Sequence, residues 1–502
     1  MDHISQLKAA KNKSTPIVAL ASPDQVATAH QLTSQVWKDS PIVVWDIARG
    51  AFAGNEAGEM LLESCLLNAK GIEQEDTRDP ATFLRMIWLA KDYVVDNAVY
   101  MMYNAQRLIV DHLEIIQYLN NLRDPFKNSR NMLLLLGPYM ILPRELIFDV
   151  VLIEEELPED EELKKLVTRL HTCNDVNIPD EKYLNRAAEA VRGLSPFAAD
   201  QVMAMAITRE GLNFDNLWSF KKRIIRQSKG LDISTSDLSF MDVGGLGSIK
   251  NFLTKLFNGP QPPSLIVFID EIDKCIAGTH GSDAHSVDKD QLGVFLQVMQ
   301  DNNWTGCVLI GPPGVSKSHI CKAAGGEFGV PTIRLDMNGM KDSLVGSSEQ
   351  AIRESMRIIK GVGGKNVLFL ATCNRINDLP PELIRRFRLG TWFFDLPSDE
   401  ELKSIWSICM SKYNHDFSQK IPCEVHYTGA DVENICETAY RMNCSLVDAC
   451  KYISPVVKTS PDLISNLRSY ADGKFLSSAY EGVFTTKTKK EESLGRKLDL
   501  EA

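Results

Sequence analysis

The stretch Gly311-Pro-Pro-Gly-Val-Ser-Lys-Ser318 decides the fold of this chain, because it has the composition of a phosphate-binding loop. It follows a strand-like run, residues 307–310, and comes directly before a helical pattern. A strand, loop and helix in that order present backbone N–H groups and a helix N-terminus to an anion. Lys317 would add a positive charge, and Ser318 would supply a hydroxyl ligand for Mg²⁺.

One position of this loop departs from the usual pattern. Ser316 stands directly before Lys317, where glycine is favoured because the backbone must wrap closely around a phosphate. We expect serine to fit there with mild strain. The sequence therefore leaves open how tightly the loop holds a nucleotide.

A second strand-like run, residues 265–269, ends in Asp270-Glu-Ile-Asp273. Carboxylates at the carboxyl end of a central strand lie where α/β sheets bind ligands. Asp270 is expected to hold Mg²⁺, directly or through water, and Glu271 to orient and deprotonate an attacking water. This acidic strand precedes the phosphate loop in the chain, whereas in most enzymes with such a loop it follows.

A third buried-strand pattern, residues 367–373, ends at Asn374. An amide there could fix the same water or contact the terminal phosphate. The chain then reaches Arg385, Arg386 and Arg388, and a planar guanidinium can neutralise charge on a γ-phosphate in the transition state.

Composition sets broader limits on the class of protein. The chain has 502 residues, 44% of them apolar and 24% charged, with a formal net charge of −11, which disfavours broad nucleic-acid binding. Its 11 cysteines include no Cys-x-x-Cys pair, which indicates a reducing compartment and buried thiols. The first residues are polar, and no apolar run approaches the roughly 20 residues of a membrane helix. We expect a soluble, cytoplasmic protein without a membrane partner.

The pattern of apolar runs and punctuation predicts six segments. Four short runs in the first 155 residues are apolar throughout and residues 148–153 fit a fifth, which is typical of a parallel sheet covered by helices on both faces. The expected segments are an N-terminal α/β domain without a phosphate loop (1–155), a helical subdomain (156–230), a linker with a leading segment (231–262), an α/β core (263–398), a helical lid (399–480) and a mobile tail (481–502).

Several further segments resemble those of the AAA ATPases. Phe240-Met-Asp-Val-Gly-Gly-Leu-Gly resembles the segment that leads into their core, and Ala371-Thr-Cys-Asn374 resembles their sensor strand. Leu344-Val-Gly-Ser-Ser-Glu349 looks like the start of the helix after their second strand, and Tyr427-Thr-Gly-Ala-Asp431 looks like their lid. The likeness covers about residues 238–445.

The N-terminal region is similar, more loosely, to that of the plastid and cyanobacterial "hypothetical chloroplast reading frame" AAA ATPases. Pro41-Ile-Val-Val-Trp-Asp46 and Leu136-Gly-Pro-Tyr-Met-Ile-Leu-Pro-Arg-Glu-Leu146 carry that likeness. The second of these also resembles residues 366–383 of the same chain. Residues 1–230 are therefore a candidate degenerate copy of the same fold.

The resemblance implies an α/β P-loop NTPase core of the AAA+ type with an internally permuted strand order, a helical lid and a degenerate N-terminal α/β domain. It implies ATP or ADP and Mg²⁺ as cofactors, with Ser318 and Asp270 at the metal. The residues implied to bind nucleotide are Gly311, Pro312, Pro313, Gly314, Val315, Ser316, Lys317, Ser318 and His319 along the loop, with Asp242, Val243, Gly244, Gly429 and Ala430 around the adenine. The implied catalytic residues are Glu271, Asn374, Arg385 and Arg386.

The same resemblance implies that Arg385 and Arg386 act in trans on the ATP of a neighbouring subunit, in a homo-oligomeric ring or spiral that is most often a hexamer. In the family, the sensor strand lies between the phosphate-loop strand and the acidic strand. Short loops at residues 301–306 and 361–365 allow that order here, and connections of that length are ordinary. We predict that the sheet keeps the family order and that the site closes.

Two functions fit these residues. One is an Mg²⁺-dependent ATPase that remodels a protein partner, for which Leu344, at the position of an aromatic pore residue in threading enzymes, indicates a weaker grip. The other is a scaffold in which nucleotide sets the assembly with little or no hydrolysis. A remodeller of DNA-bound complexes is a third reading.

Overall fold

The computed structural model describes residues 3–93, 96–110, 112–174, 176, 180–228, 230–234, 237–276, 286–337, 339, 347–375, 379–422 and 427–486. The chain divides into two compact units, Met1–Leu217 and Trp218–Ala502. The boundary therefore falls inside a helix, before the end of the expected helical subdomain at residue 230.

The first unit is built on a six-stranded sheet. Its strands are β1 (Ile17–Ala21), β2 (Ile42–Asp46), β3 (Gly50–Ala53), β4 (Val99–Met102), β5 (Met132–Gly137) and β6 (Val151–Glu154). Their order across the sheet is β3-β2-β4-β5-β1-β6, and all pairs are parallel except β2 with β3. Alternate residues of the central strands feed two separate apolar clusters, so the sheet is covered on both faces, as the apolar runs predict.

Helices cover this sheet and continue beyond it. They are α1 (His3–Asn12), α2 (Gln25–Gln31), α3 (Glu56–Asn68), α4 (Pro80–Ala90) and α5 (Leu113–Ser129). The helical part that follows holds α6 (Asp160–Cys173), α7 (Glu181–Val191), α8 (Pro196–Ala206), the small hairpin of β7 (Ile207–Thr208) and β8 (Gly211–Leu212), and α9 (Phe214–Gln227), which crosses the unit boundary. Helix α8 has a well-formed start, because the Ser195 hydroxyl accepts a hydrogen bond from the Ala198 N–H and Pro196 stands at the first turn.

The second unit is built on a seven-stranded sheet. Its strands are β9 (Leu231–Ser234), β10 (Leu265–Ile269), β11 (Thr305–Ile310), β12 (Thr332–Leu335), β13 (Val367–Cys373), β14 (Thr391–Phe393) and β15 (Leu476–Ser477). Their order is β15-β14-β11-β13-β10-β12-β9, and only β9 runs antiparallel to its neighbour. The sensor strand β13 thus lies between the phosphate-loop strand β11 and the acidic strand β10, so this predicted order is confirmed.

Helices flank the second sheet and form the segment after it. They are α10 (Gly247–Phe257), α11 (Ile272–Ile276), α12 (Ser286–Asp301), α13 (Lys317–Phe328), α14 (Ser347–Gly363) and α15 (Pro381–Arg386), followed by α16 (Asp399–Lys412), α17 (Gly429–Met442), α18 (Leu446–Ala449), α19 (Val456–Thr459) and α20 (Pro461–Ala471). Helices α16 to α18 enclose an apolar cluster of their own around Trp406 and Ile435. No helix among the described residues is long and apolar enough to cross a membrane.

The two sheets have one topology in common. Read from its β6 edge, the first sheet has the order β6-β1-β5-β4-β2-β3. The second, without its edge strand β15, has the order β14-β11-β13-β10-β12-β9. In each, the last strand is an antiparallel edge. Two copies of one fold would give this correspondence, and it supports the proposal that the N-terminal region is a degenerate copy. The order of these strands along the chain differs between the units. In the first unit β3 and β4 follow β1, whereas in the second their equivalents, β9 and β10, precede β11, the equivalent of β1.

Two segments differ from their expected character. The expected linker contains β9, which extends the sheet by pairing with β12. The expected mobile tail begins at Glu481, yet Phe484 is 5% exposed and its ring lies 4.5 Å from that of Phe393. The charged residues that follow Phe484 dominate the composition of the tail, so composition alone does not reveal that Phe484 is buried. Residues 487–502 lie outside the described residues.

Candidate nucleotide-binding and hydrolysis site

The phosphate loop connects β11 to α13 and is held in a strained conformation. Ser316 has φ +63° and ψ +22°, in the left-handed region that favours glycine. A Cβ at Gly311 would come within 2.2 Å of the carbonyl oxygen of Phe394, the residue directly after β14. The serine that replaces glycine in the loop is therefore accommodated, with the mild strain that the sequence predicts.

Lys317 is folded back onto its own loop. Its Nζ donates to the carbonyl oxygens of Gly311, at 2.7 Å, and Pro312, at 2.6 Å, and the side chain is 6% exposed. Burial lowers the pKa of this ammonium to about 8. The two carbonyl acceptors hold the ammonium against the backbone of the loop.

Asp270 stands directly after β10 and meets the first turn of α13. Its Oδ1 accepts hydrogen bonds from the hydroxyls of Ser318 and Thr372, each at 2.9 Å. A guanidinium nitrogen of Arg334, on β12, lies 3.7 Å from Oδ2. The structure thus brings together Ser318 and Asp270, the two residues predicted to hold Mg²⁺.

Glu271 has an unusual backbone, with φ +50°. Its carboxylate accepts from the Asn374 side-chain amide at 3.1 Å and forms an ion pair with Lys274 at 2.6 Å. Asn374 at the end of β13 therefore lies against Glu271, as the sequence predicts for two groups acting on one water.

Side chains continue the pairing of β10 with β13 after the backbone strands separate. The Glu271 N–H donates to Thr372 Oγ1 at 2.9 Å, and the Asn374 N–H donates to Asp273 Oδ1 at 3.3 Å. Asp273 is 3% exposed, and burial raises the pKa of its carboxyl. The two strand ends are thus locked by reciprocal bonds between backbone and side chain.

These groups line one cleft with a volume of about 970 Å³, within the range of small-molecule sites. The predicted residues on its wall are Asp242, Val243, Gly244, Asp270, Glu271, Pro313, Gly314, Ser316, Lys317, Ser318, His319, Asn374, Gly429 and Ala430. Gly311, Pro312 and Val315 are absent from the wall, because the first two lie behind it as acceptors for Lys317 and the third is 5% exposed.

The leading segment and the lid are fastened to this cleft. Lys250 donates to the carbonyl oxygens of Phe240, at 2.9 Å, and Val243. On the lid side, Glu401 accepts from the Leu246 N–H at 3.0 Å, and the Ala430 N–H donates to the Gly314 carbonyl at 3.1 Å. The segments predicted to frame an adenine are therefore connected directly to the core and to the phosphate loop.

Sequence reasoning missed several wall residues. The strand pattern gives Thr372 no role of its own, yet this residue lies on the wall, and the lid helices contribute Ile405, Ile408, Cys409, Lys412 and Glu433. Four of these lid residues, Ile405, Ile408, Cys409 and Lys412, lie on α16 at spacings of three and four. That spacing places them on one face of a helix and could have been recognised in the sequence. Burial lowers the pKa of His319 on the same wall, so this imidazole is more readily neutral than usual.

The three predicted arginines lie outside this cleft. Arg385 and Arg388 are exposed, Arg386 is half-buried, and none of them lines the cleft. Arg386 donates to the side chain of Gln300 on α12. A role for these residues in the cleft of their own subunit is therefore not supported. Leu344, the predicted pore position, lies outside the described residues.

The donor set fits Mg²⁺. Among the described residues no group of three or more His, Cys, Asp or Glu side chains could hold a metal ion. Mg²⁺ at nucleotide sites needs fewer protein ligands than such a group provides, because it typically takes one or two and completes its coordination shell with phosphates and water. Asp270 and Ser318 supply a carboxylate and a hydroxyl beside the lysine, which is such a set.

Comparison with known proteins agrees with this geometry. Residues 4–155 match the family model of the SpoVK-like AAA ATPase N-terminal domain, and residues 307–363 match that of the ATPase family associated with various cellular activities (AAA). The second match covers β11, the phosphate loop and α14.

Curated relatives point the same way at low identity. The uncharacterized AAA domain-containing protein ycf46 of Guillardia theta is 20% identical over 453 residues, covering 78% of this chain and 82% of the relative. The ycf46 protein of Gracilaria tenuistipitata var. liui is 24% identical, covering 66% and 72%. The ATP-dependent zinc metalloprotease FtsH of Karelsulcia muelleri (strain DMIN) is 29% identical over 186 residues, covering 27% and 30%. With the site described above, these matches show that the chain contains AAA ATPase domains and is similar to the plastid ycf46 proteins, which supports an ATPase.

Proposed function

We propose that this ATPase works as an Mg²⁺-dependent homo-oligomer that couples ATP hydrolysis to the remodelling of a protein partner. The observation that carries the proposal is the convergence of Lys317, Ser318, Asp270, Glu271 and Asn374 on one cleft, although they come from three separate strand ends. AAA ATPases commonly oligomerise and act on proteins, which supports the second half of the proposal.

Each group has a role that its position allows. Mg²⁺, when bound, would neutralise charge on the phosphate oxygens. Lys317 would turn from its two carbonyl acceptors to the phosphates, and Asp270 and Ser318 would hold the metal. Glu271 would accept a proton from the attacking water, with Asn374 orienting the carboxylate through the 3.1 Å contact.

We further propose that Arg385 and Arg386 complete the site of a neighbouring subunit. Both lie at the end of α15, outside the cleft of their own subunit. The exposed guanidinium of Arg385 would be available to the γ-phosphate of another copy, where it would neutralise charge in the transition state, and that of Arg386 would first have to leave Gln300.

The scaffold without hydrolysis remains a second candidate because both carboxylate oxygens of Glu271 are occupied, one by Asn374 and one by Lys274. The Lys274 pair is largely exposed, at 63% for the lysine side chain, so it is worth little and is easily broken. This favours the enzyme.

Steady-state phosphate release by wild type and by Glu271→Gln tests the proposal, with assembly followed by light scattering. Turnover in wild type and none in Glu271→Gln is the expected result. ATP-driven assembly without turnover in either protein would instead establish the scaffold.

Replacing Arg385 and Arg386 with alanine should abolish turnover and leave nucleotide binding intact. Arg441→Ala is the matched control, because its side chain is 74% exposed and paired with Glu437 on α17, away from the cleft. Loss of nucleotide binding in the double variant would contradict the trans assignment. Restored turnover on mixing this variant with Glu271→Gln would support it directly.

A further inference from the structure

One buried hydroxyl in the site has no role in the proposal above. Thr372 lies in β13 between the phosphate-loop strand and the acidic strand, in register with Leu309 of β11 and one residue beyond the Ile269–Ala371 pair with β10. It is 2% exposed. At this point the backbone pairing of β10 with β13 ends and the functional side chains begin.

The hydrogen-bond roles of this hydroxyl are fixed by its partners. The Glu271 N–H can only donate, so Thr372 Oγ1 accepts from it, at 2.9 Å. An ionised Asp270 carboxylate can only accept, so the one hydroxyl proton goes to its Oδ1, also at 2.9 Å. Thr372 is thus bonded to both residues of the acidic pair at once.

We propose that Thr372 is the positioning residue that sets Asp270 and Glu271 for metal binding and hydrolysis. This inference rests on the proposed function of those two carboxylates. In this role Thr372 acts through its two partners.

The first reason concerns Asp270. Ser318 also donates to Oδ1, at 2.9 Å, but a hydroxyl that ligates Mg²⁺ would turn from the carboxylate to the metal. Thr372 would then be the hydroxyl that still fixes the orientation of Asp270. Such partners of ligating carboxylates commonly decide how well a metal is held.

The second reason concerns Glu271. Its φ of +50° is unfavourable for a residue with a Cβ, and such a conformation persists only where neighbouring bonds impose it. Thr372 binds the N–H of Glu271, and the Lys274 N–H binds its carbonyl at 2.9 Å. Without the hydroxyl, the backbone of the proposed general base would lose one of these two restraints.

The test compares Thr372→Val, which keeps the shape and removes the hydroxyl, with Thr372→Ser, which keeps the hydroxyl. Thr332→Val is the matched control, since Thr332 is a 3% exposed residue of β12 whose hydroxyl has no hydrogen-bond partner among the residues that the structure describes. If Thr372→Val is unstable, Thr372→Ala serves in the same comparison.

Two measurements are made on each variant of the full chain: kcat and KM for ATP, and ADP affinity with and without Mg²⁺. Thr372→Val should lower kcat by about 10–100-fold, the range typical of a lost partner to a metal-site ligand, with KM changed less than about threefold. It should also reduce the gain in ADP affinity that Mg²⁺ confers, while ADP affinity without Mg²⁺ is unchanged. Thr372→Ser should restore both.

Retention of wild-type kcat and wild-type Mg²⁺-dependent ADP affinity in Thr372→Val would overturn the inference. Failure of Thr372→Ser to restore them would overturn it as well. If wild type itself does not hydrolyse ATP, the proposed function fails, but the Mg²⁺-dependent ADP affinity still decides the role of Thr372.

Discussion

Replacing Ser316 with glycine should make the second unit more stable. Ser316 is the residue before the phosphate-loop lysine, and its left-handed backbone has φ +63°. A residue with a Cβ loses about 1–2 kcal/mol in this conformation relative to glycine. Ser316 also makes no side-chain hydrogen bond to the first turn of α13, so the substitution removes no capping interaction.

Glycine has an opposing cost, because it makes the unfolded chain more flexible by about 0.4–1 kcal/mol. Relief of strain exceeds this cost, and the expected net gain is about 0.5–1 kcal/mol. For a unit of this size, the gain corresponds to a rise in Tm of about 1–3 °C. Differential scanning calorimetry without nucleotide measures it.

Ser316→Ala is the control, since alanine keeps the Cβ and with it the strain; it should show no gain in Tm. Nucleotide affinity gives a second, independent readout. Because the loop is already left-handed at Ser316 without nucleotide, the strain is present before and after binding and cancels. ADP affinity of Ser316→Gly should therefore stay within about threefold of wild type, which is under 1 kcal/mol.

A lower Tm for Ser316→Gly than for wild type would refute the strain argument. A tenfold or larger gain in ADP affinity would show that serine hinders the bound loop, and that the cancellation assumed here is wrong.

Two further substitutions and one titration test other parts of the site. ATP binding at pH 8.5 should take up protons, because Lys317 has a pKa of about 8 in this structure and is roughly three quarters neutral at that pH, whereas bound phosphates favour the ammonium. Calorimetry in buffers of different ionisation enthalpy measures this proton uptake, which should vanish at pH 6.5 for this group. The affinity for ATP should fall as the pH rises through 8. Gly311→Ala should destabilise the second unit by about 2 kcal/mol or more, because the new Cβ would lie 2.2 Å from the Phe394 carbonyl oxygen. A Cβ at Gly293 on α12 meets no described residue within 4 Å, so Gly293→Ala should instead stabilise the second unit by up to about 1 kcal/mol. Equal effects of the two alanine substitutions on urea unfolding would contradict this account.

Local pattern was sufficient for the elements that carry the site. Three apolar runs each predict a strand that ends in functional groups: one before Asp270, one before the phosphate loop and one before Asn374. The structure has these strands as β10, β11 and β13. Parallel strands bring their carboxyl ends to one edge, so the meeting of these groups follows once the strand order is given. That order came from a resemblance, and the sheet has it.

Other features needed contacts that a local pattern does not contain. β9 is a short strand that exists because β12 offers it an edge, and Phe484 is buried because β14 presents Phe393. The composition of these two segments predicted a linker and a tail. Composition averages the hydrophobicity of a stretch, so one buried apolar residue among polar neighbours does not stand out.

The amino-acid sequence by itself determined which residues end each strand, and therefore which chemical groups the cleft contains. Only the tertiary structure decided which of them touch. Asp270 meets Ser318 across 48 residues of chain and Thr372 across 102, and the φ of +50° at Glu271 is imposed by partners of that kind. The physical reason is that the hydrogen bonds joining neighbouring strands of a parallel sheet are made between residues far apart in sequence, so their partners are set by strand order and register.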